Sequence, residues 1–209
     1  MKISEATLKR LTQVYRTLSR MIRFEDLDGT ISSAHIGELI GVPSHTIRKD
    51  ISCLGEIGSS GRGYEIKKLH HFLADNLGIA TPKKAAIIGI GKIGTALIDY
   101  GRFGNSGFDV VAGFDADINH IESMKSEIPL YPAYDIAEIV KREKIELAFL
   151  TVPAKAATKS LERLIEGGIQ GVVNFSPLVL NHDKVYIRNV DLTGELTLLS
   201  AMINLGERD

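Results

Sequence analysis

The sequence predicts an α/β chain in two parts: a small helical N-terminal segment, then a larger doubly wound parallel sheet, with one terminal helix after it. Three observations predict this. Apolar residues recur at three- and four-residue steps through the first 80 positions, the pattern of amphipathic helices. Beyond them, continuous apolar runs alternate with helical stretches, the rhythm of parallel strands joined by crossover helices. Between the two patterns stands Gly78-Ile79-Ala80-Thr81-Pro82, which ends a helix and precedes the first strand-like run. The predicted domains are therefore 1–80, 81–190 and a C-terminal helix within 191–209.

The first segment is read as follows. Leu8, Leu11, Tyr15, Leu18 and Ile22 form one face of a first helix, with Lys9, Arg16, Arg20 and Arg23 as a basic stripe beside it. Ser32 or Ser33 caps a short second helix bearing Ile36, Leu39 and Ile40. Gly41-Val42-Pro43 makes a tight turn, and a third helix runs from about Ser44 to Leu54. GEIGSSGRGYEI then reads as a glycine-rich turn between short strands, and a helix from about Lys67 to Leu77 closes the segment.

In the second segment, Ala85–Ile88, Val110–Phe114, Leu147–Val152 and Val172–Phe175 read as buried strands. Val190–Leu205 reads as a last helix with Leu192, Leu196, Leu199 and Ile203 on one face.

The 209 residues carry a net charge of -1, which by itself argues against a nucleic-acid partner. The charge is uneven: residues 1–80 hold 11 Lys/Arg against 9 Asp/Glu, and the rest hold 14 against 17. Within residues 1–24, six basic residues face only Glu5. For DNA, one basic surface matters more than a basic total. No stretch approaches the roughly 20 apolar residues of a membrane span, and the N-terminus lacks the apolar core of a signal peptide. One cysteine, Cys53, suits a reducing compartment, so the expected location is cytoplasmic.

A short helix, a glycine turn and a second helix describe a helix-turn-helix, whose second helix enters the major groove. In SHTIRKDISCL, Ile47, Ile51 and Leu54 are spaced to face the core. Ser44, His45, Arg48, Lys49 and Ser52 are left to meet phosphates and base edges. The alternative is that Arg48-Lys49-Asp50 forms a solvated face with local ion pairs. The next segment favours DNA, because Arg62 sits between glycines at a hairpin tip, where a wing reaches the minor groove. An ordinary loop with one incidental arginine is the plainer reading. Together these features predict a winged helix-turn-helix.

Gly89-Ile90-Gly91-Lys92-Ile93-Gly94 matches the dinucleotide fingerprint GxGxxG in the required context, after a strand and opening a helix. A second strand ends at Asp115, 21 positions after Gly94. A carboxylate there can accept from both adenosine ribose hydroxyls and repels a 2′-phosphate, which favours NAD(H) over NADP(H). A helix cap is the plainer role for it. Thr151-Val152-Pro153-Ala154 and Asn174-Phe175-Ser176-Pro177 each follow a strand and so fall at the carboxyl edge of a Rossmann-like sheet. There Val152, Pro153, Phe175 and Pro177 suit a reduced, uncharged nicotinamide better than the cationic oxidised ring; otherwise both stretches are simply loops.

With these pieces in order, the chain resembles the Rex family of redox-sensing transcriptional repressors. The resemblance spans nearly the whole length and is carried by TIRKDIS, GEIGSSGRGYEI, IIGIGKIGTALIDYGRF, FDAD, VPAKAA, VNFSP and NVDLTGELTLLS. It implies a homodimer whose C-terminal helix swaps onto the partner subunit. It implies a palindromic operator, bound while NADH is scarce and released when NADH binds, with NAD+ as the competing form. It places Arg48 and Lys49 on the recognition helix and Arg62 on the wing. Tyr100 and Asp191 match positions near the nicotinamide, and Arg16 matches an arginine linking the DNA-binding domain to that site. A contact among Arg16, Tyr100 and Asp191 would then set the angle between winged helices that must meet half-sites about 34–36 Å apart. One departure is Cys53-Leu54, where the family often has an aromatic pair.

Two other readings stay open. A dehydrogenase shares the fingerprint, but only about 110 residues separate the boundary from the last helix, which suits one domain. No substrate domain and no catalytic His or Lys beside a substrate-binding arginine is evident, so no enzyme is expected. A CoA-type nucleotide module with an incidental helical extension is the second; Asp115 and the wing argue against it. Cys53 reads as a small buried residue, and His70-His71 as a surface pair with no metal site.

Overall fold

In the computed structural model, residues 3–24, 29–57, 63–101 and 103–206 are described. The chain divides into two compact units, Met1–Thr81 and Pro82–Asp209.

Among its described residues the first unit packs four helices: α1 (Glu5–Phe24), α2 (Ser33–Ile40), α3 (Ser44–Ser52) and α4 (Ile66–Asn76). A two-residue antiparallel ladder joins β1 (Thr30–Ile31) to β2 (Tyr64–Glu65). Its core is Leu11, Val14, Leu18 and Met21 of α1 against Ile36, Ile47, Ile51, Leu69 and Leu73. The buried stripe of α1 is thus rotated from the expected one. Leu8 is exposed, and Tyr15 and Ile22 lie on the flank. The reason is that apolar residues at 8, 11, 14, 15, 18, 21 and 22 make a stripe wider than the contact, and packing chooses its centre.

Ser32 caps α2, its side chain accepting from the His35 N–H at 3.0 Å. The α2–α3 turn depends on two glycines. Gly41 is left-handed at φ +70°, and a Cβ on Gly37 would stand 2.3 Å from the Val42 carbonyl oxygen. The expected strand ahead of the wing is replaced by a different pairing, since β2 partners β1 from before α2.

The second unit is a parallel sheet. Among the described residues its strands are β3 (Lys83–Ile88), β4 (Phe108–Asp115), β5 (Leu130–Pro132), β6 (Leu147–Leu150), β7 (Gly171–Asn174) and β8 (Tyr186–Asn189). Their spatial order is β5-β4-β3-β6-β7-β8, with every neighbouring pair parallel. Numbered from β3, this is the Rossmann order 3-2-1-4-5-6. The crossovers carry α5 (Lys92–Ile98), α6 (Ile118–Ser123), α7 (Ile136–Glu143) and α8 (Ala154–Glu166). Ile88, Phe114, Ile136, Ala148, Leu150, Ala157 and Leu164 are among the core residues. The order reverses between β3 and β6, so a crevice opens there at the carboxyl ends of the strands.

The last helix, α9 (Leu192–Leu205), starts at Asp191, whose carboxylate accepts from the Gly194 N–H at 2.9 Å. None of its residues is buried. Leu198 is exposed along with Leu192, Leu196, Leu199 and Ile203, so the apolar surface is broader than the single predicted face.

Candidate nucleic-acid interface and nucleotide site

On α3 the structure separates the residues as their spacing requires. Ile47 and Ile51 are buried, while His45, Arg48, Lys49 and Ser52 are exposed; Ser44, the first residue, is half-buried. Arg48 Nη1 donates to Ser33 Oγ at 2.9 Å, which ties the guanidinium to the start of α2. Asp50 departs from the solvated-face reading. It is buried and accepts from Arg10 Nε at 2.5 Å, Arg10 Nη2 at 2.8 Å and Thr7 Oγ1 at 3.2 Å. A buried carboxylate needs such pairing, so Asp50 fastens α3 to α1 and leaves the outer face of α3 basic. Tyr64 lies close by; burial pushes its phenol above the ordinary range, opposed by the charge of Arg48. Arg62, the expected wing arginine, lies outside the described residues. Arg16 is exposed on α1.

Cys53 is half-buried and its thiol donates to the Asp50 carbonyl oxygen at 2.9 Å. His70 is more enclosed than a surface pair: it stacks on Tyr15 at 4.7 Å and meets Ser19 Oγ at 2.9 Å. Burial, and secondarily His71, hold its pKa below the ordinary value. Among the described residues no cluster of His, Cys, Asp and Glu could hold a metal ion.

In the second unit the glycine loop lies between the ends of β3 and β4 and the start of α5. The three glycines serve different ends. Gly89 has φ +92°, and a Cβ there would stand 2.7 Å from Val152 Cγ1. At Gly94 a Cβ would stand 2.0 Å from the Gly89 carbonyl oxygen, so α5 closes on β3 only without a side chain. Gly91 differs. Its φ is -73°, open to any residue, and a Cβ there would meet nothing within 4 Å. Among the described residues nothing requires glycine at 91; the space its side chain would fill fits a ligand resting on the backbone. No side chain caps α5, so its leading N–H groups can meet an anion. Lys92 and Ile93 are both exposed at this helix start.

Asp115 touches the loop directly. Its Oδ2 accepts from the Ile90 N–H at 2.7 Å and its Oδ1 from the Asp117 N–H at 2.9 Å. The helix-cap role belongs instead to Asp117, which accepts from the N–H groups of Asn119 and His120. Each carboxylate oxygen of Asp115 keeps a second lone pair for a hydroxyl.

At the carboxyl edge, Val152 and Phe175 are half-buried, and Pro153 and Pro177 exposed. A line of ring contacts runs from Tyr100 to Phe103 at 5.0 Å, Phe103 to Phe149 at 5.2 Å and Phe149 to Phe175 at 6.4 Å. It joins Tyr100, which the family resemblance singles out, to the Phe175 loop. Asp191 is placed as the α9 cap.

The sequence placed Thr151 and Asn174 in the edge loops but gave neither of them, nor His120, a role of its own. Thr151 Oγ1 reaches the Gly89 carbonyl oxygen at 2.6 Å, His120 Nε2 the Ile90 carbonyl oxygen at 2.9 Å, and buried Asn174 donates to the Leu178 carbonyl at 2.7 Å. Asn174 could be suspected from an amide ending an apolar strand. The other two act on backbone groups far away in sequence, which no local pattern announces.

Among the described residues no helix is long and apolar enough to cross a membrane. The family model of the "CoA binding domain" matches residues 80–178, and that of the "Putative DNA-binding protein N-terminus" matches residues 2–52. The redox-sensing transcriptional repressor Rex of Pelotomaculum thermopropionicum is 37% identical over 203 residues, covering 96% of this chain and 93% of the relative. That of Listeria welshimeri is 37% identical over 201 residues, covering 95% and 92%. Among solved structures, RSP in complex with beta-NAD+ and operator DNA superposes with a TM-score of 0.89 at 29% identity, covering 99% of this chain and 95% of that one. RSP in complex with beta-NADH does so with a TM-score of 0.85 at 28% identity, covering 99% and 97%. With relatives of this identity matched across almost its full length, this chain belongs to the Rex family of redox-sensing transcriptional repressors.

Proposed function

We propose that this chain is a cytoplasmic, homodimeric repressor that binds a palindromic operator and leaves it when NADH replaces NAD+. The observation that carries the nucleotide half is the pairing of an unneeded glycine with a placed carboxylate. Gly91 leaves open space over the loop, and Asp115 is hydrogen-bonded to that same loop. A pyrophosphate over Gly89–Gly94 and a ribose at Asp115 fit this arrangement. The same carboxylate, accepting from both ribose hydroxyls, favours NAD(H) over CoA, whose 3′-phosphate it would repel. The solved relatives bound to beta-NAD+ and beta-NADH support this reading.

The ring end is assigned to Val152, Pro153, Phe175 and Pro177, with Tyr100 and Asp191 nearby. When bound, the nicotinamide supplies the redox signal, being uncharged when reduced and cationic when oxidised. Apolar surroundings cost the cationic form more, because an unpaired charge loses hydration there. Switching from mostly DNA-bound to mostly released takes about 5.5 kcal/mol of differential binding between two states. Arg16, Tyr100 and Asp191 are assigned to carry that difference to the DNA-binding unit.

DNA contacts are assigned to Ser44, His45, Arg48, Lys49, Ser52 and Arg62, supported by the relative that carries operator DNA. The broad apolar surface of α9, none of it buried, is assigned to the partner subunit. The role is regulatory rather than catalytic, as in the repressor relatives. Calorimetric titration with NADH, NADPH and CoA tests the nucleotide assignment: NADH is expected to bind, with NADPH and CoA much weaker. Equal or tighter binding of CoA overturns it. Exchanging Arg16 and Asp191 for neutral residues is expected to blunt the response of DNA binding to NADH; an unchanged response removes them from the switch.

A further inference from the structure

We propose that His120 is a positioning residue for the nucleotide, acting through the backbone of the glycine loop. The inference rests on the dinucleotide reading and adds a residue to it. Two consecutive peptide groups of the loop are held from opposite sides. In the peptide between 89 and 90, the Gly89 carbonyl oxygen meets Thr151 Oγ1 at 2.6 Å while the Ile90 N–H donates to Asp115 Oδ2 at 2.7 Å. In the peptide between 90 and 91, the Ile90 carbonyl oxygen accepts from His120 Nε2 at 2.9 Å. A trans peptide is planar with its C=O and N–H pointing opposite ways. Fixing the carbonyl on His120 therefore aims the Gly91 N–H away from α6. That N–H belongs to the residue whose absent side chain leaves open space.

A carbonyl oxygen can only accept, so His120 must carry its proton on Nε2. The backbone that carries the ring is anchored, because the His120 N–H donates to Asp117 Oδ1 at 3.3 Å. Asp115, Asp117 and His120 thus form one clasp from the end of β4 to the loop. Thr95 Oγ1 also reaches the Ile90 oxygen, at 3.2 Å, so losing His120 weakens the clasp without abolishing it.

The test compares the full-length protein with H120A and H120Q, measuring Kd for NADH and for NAD+ and the melting temperature without ligand. One lost neutral hydrogen bond predicts about two- to tenfold weaker binding in H120A. Because the clasp is far along the ligand from the ring, NADH and NAD+ are expected to weaken by the same factor. H120Q, which restores an N–H donor of similar reach, is expected to recover most of the affinity and most of the small fall in melting temperature that the lost bond causes in H120A. If H120A binds both forms as the unaltered protein does, the positioning role is wrong while the dinucleotide reading stands. A changed ratio between NADH and NAD+ would move His120 to the ring end and overturn the inference. A fall in melting temperature that H120Q does not repair would make it a packing residue. If the unaltered protein binds neither form, the dinucleotide reading itself fails.

Discussion

Gly91 and Gly94 stand three residues apart in one motif, yet alanine at each should do opposite things to the fold. At Gly94 the new Cβ would lie 2.0 Å from the Gly89 carbonyl oxygen and 3.2 Å from Thr151 Oγ1. Relief requires α5 and β3 to separate by about 1 Å, an overpacking that typically costs about 1–3 kcal/mol. At roughly 2–4 °C per kcal/mol for a chain of this size, G94A should melt about 2–12 °C lower. At Gly91 the Cβ meets nothing, and φ of -73° is one alanine adopts freely. G91A should therefore melt at or slightly above the unaltered protein, since replacing glycine stiffens the unfolded chain by about 0.4–1 kcal/mol. Binding tells the other half. The Cβ at 91 occupies the space assigned to the pyrophosphate and displaces at least one hydrogen bond to a charged group, worth about 1.5–3 kcal/mol. NADH affinity should fall by about 10- to 100-fold. Ligand-free melting curves and calorimetric NADH titrations of both variants decide the matter. If G91A binds NADH like the parent, or melts as low as G94A, the reasoning fails.

Other expectations follow from the same structure. K49A should weaken binding to all duplexes alike and reduce the slope of log affinity against log salt by about 0.9 for the lost phosphate contact. R48A should instead relax base preference by about 1–3 kcal/mol at one position, read by competition among duplex variants. Replacing exposed Leu196 and Leu199 of α9 by Glu should give monomers in sedimentation velocity, because each buried leucine contributes about 1.5–3 kcal/mol and the charges resist burial. His70 has a folded pKa below its ordinary value of about 6.5, so the unfolded chain takes up its proton first. The stabilisation is then complete above about pH 6.5 and is lost as pH falls through the folded value. Melting temperatures at pH 7.5 and pH 5 should fall less in H70Q than in the parent.

What the sequence made legible was what continuous or periodic hydrophobicity can carry. β3, β4, β6 and β7 are buried in the middle of the sheet and announce themselves as apolar runs. β5 and β8 do not, because edge strands need less apolar surface: β5 has three residues ending at Pro132, and β8 exposes Tyr186, Arg188 and Asn189. The Rossmann order followed only once both edges were in place. Within the motifs, glycines and Asp115 were readable because the fingerprint fixes their spacing. Asp50 was not, because a carboxylate directly after Arg48-Lys49 looks solvated until Arg10 of another helix is seen against it. The contacts of His120 and Thr151 escaped for the same reason, their partners being backbone oxygens 30 and 62 residues distant.

The most direct test of the central claim is fluorescence anisotropy of a labelled palindromic duplex titrated with this protein at fixed salt, with NADH, with NAD+ and with neither. Tight binding is expected without NADH and with NAD+, and markedly weaker binding once NADH is present. Binding that is indifferent to NADH, in a protein that demonstrably takes up NADH, would contradict the redox switch. NADH uptake with no DNA binding at all would contradict the repressor reading and move a dehydrogenase ahead of it.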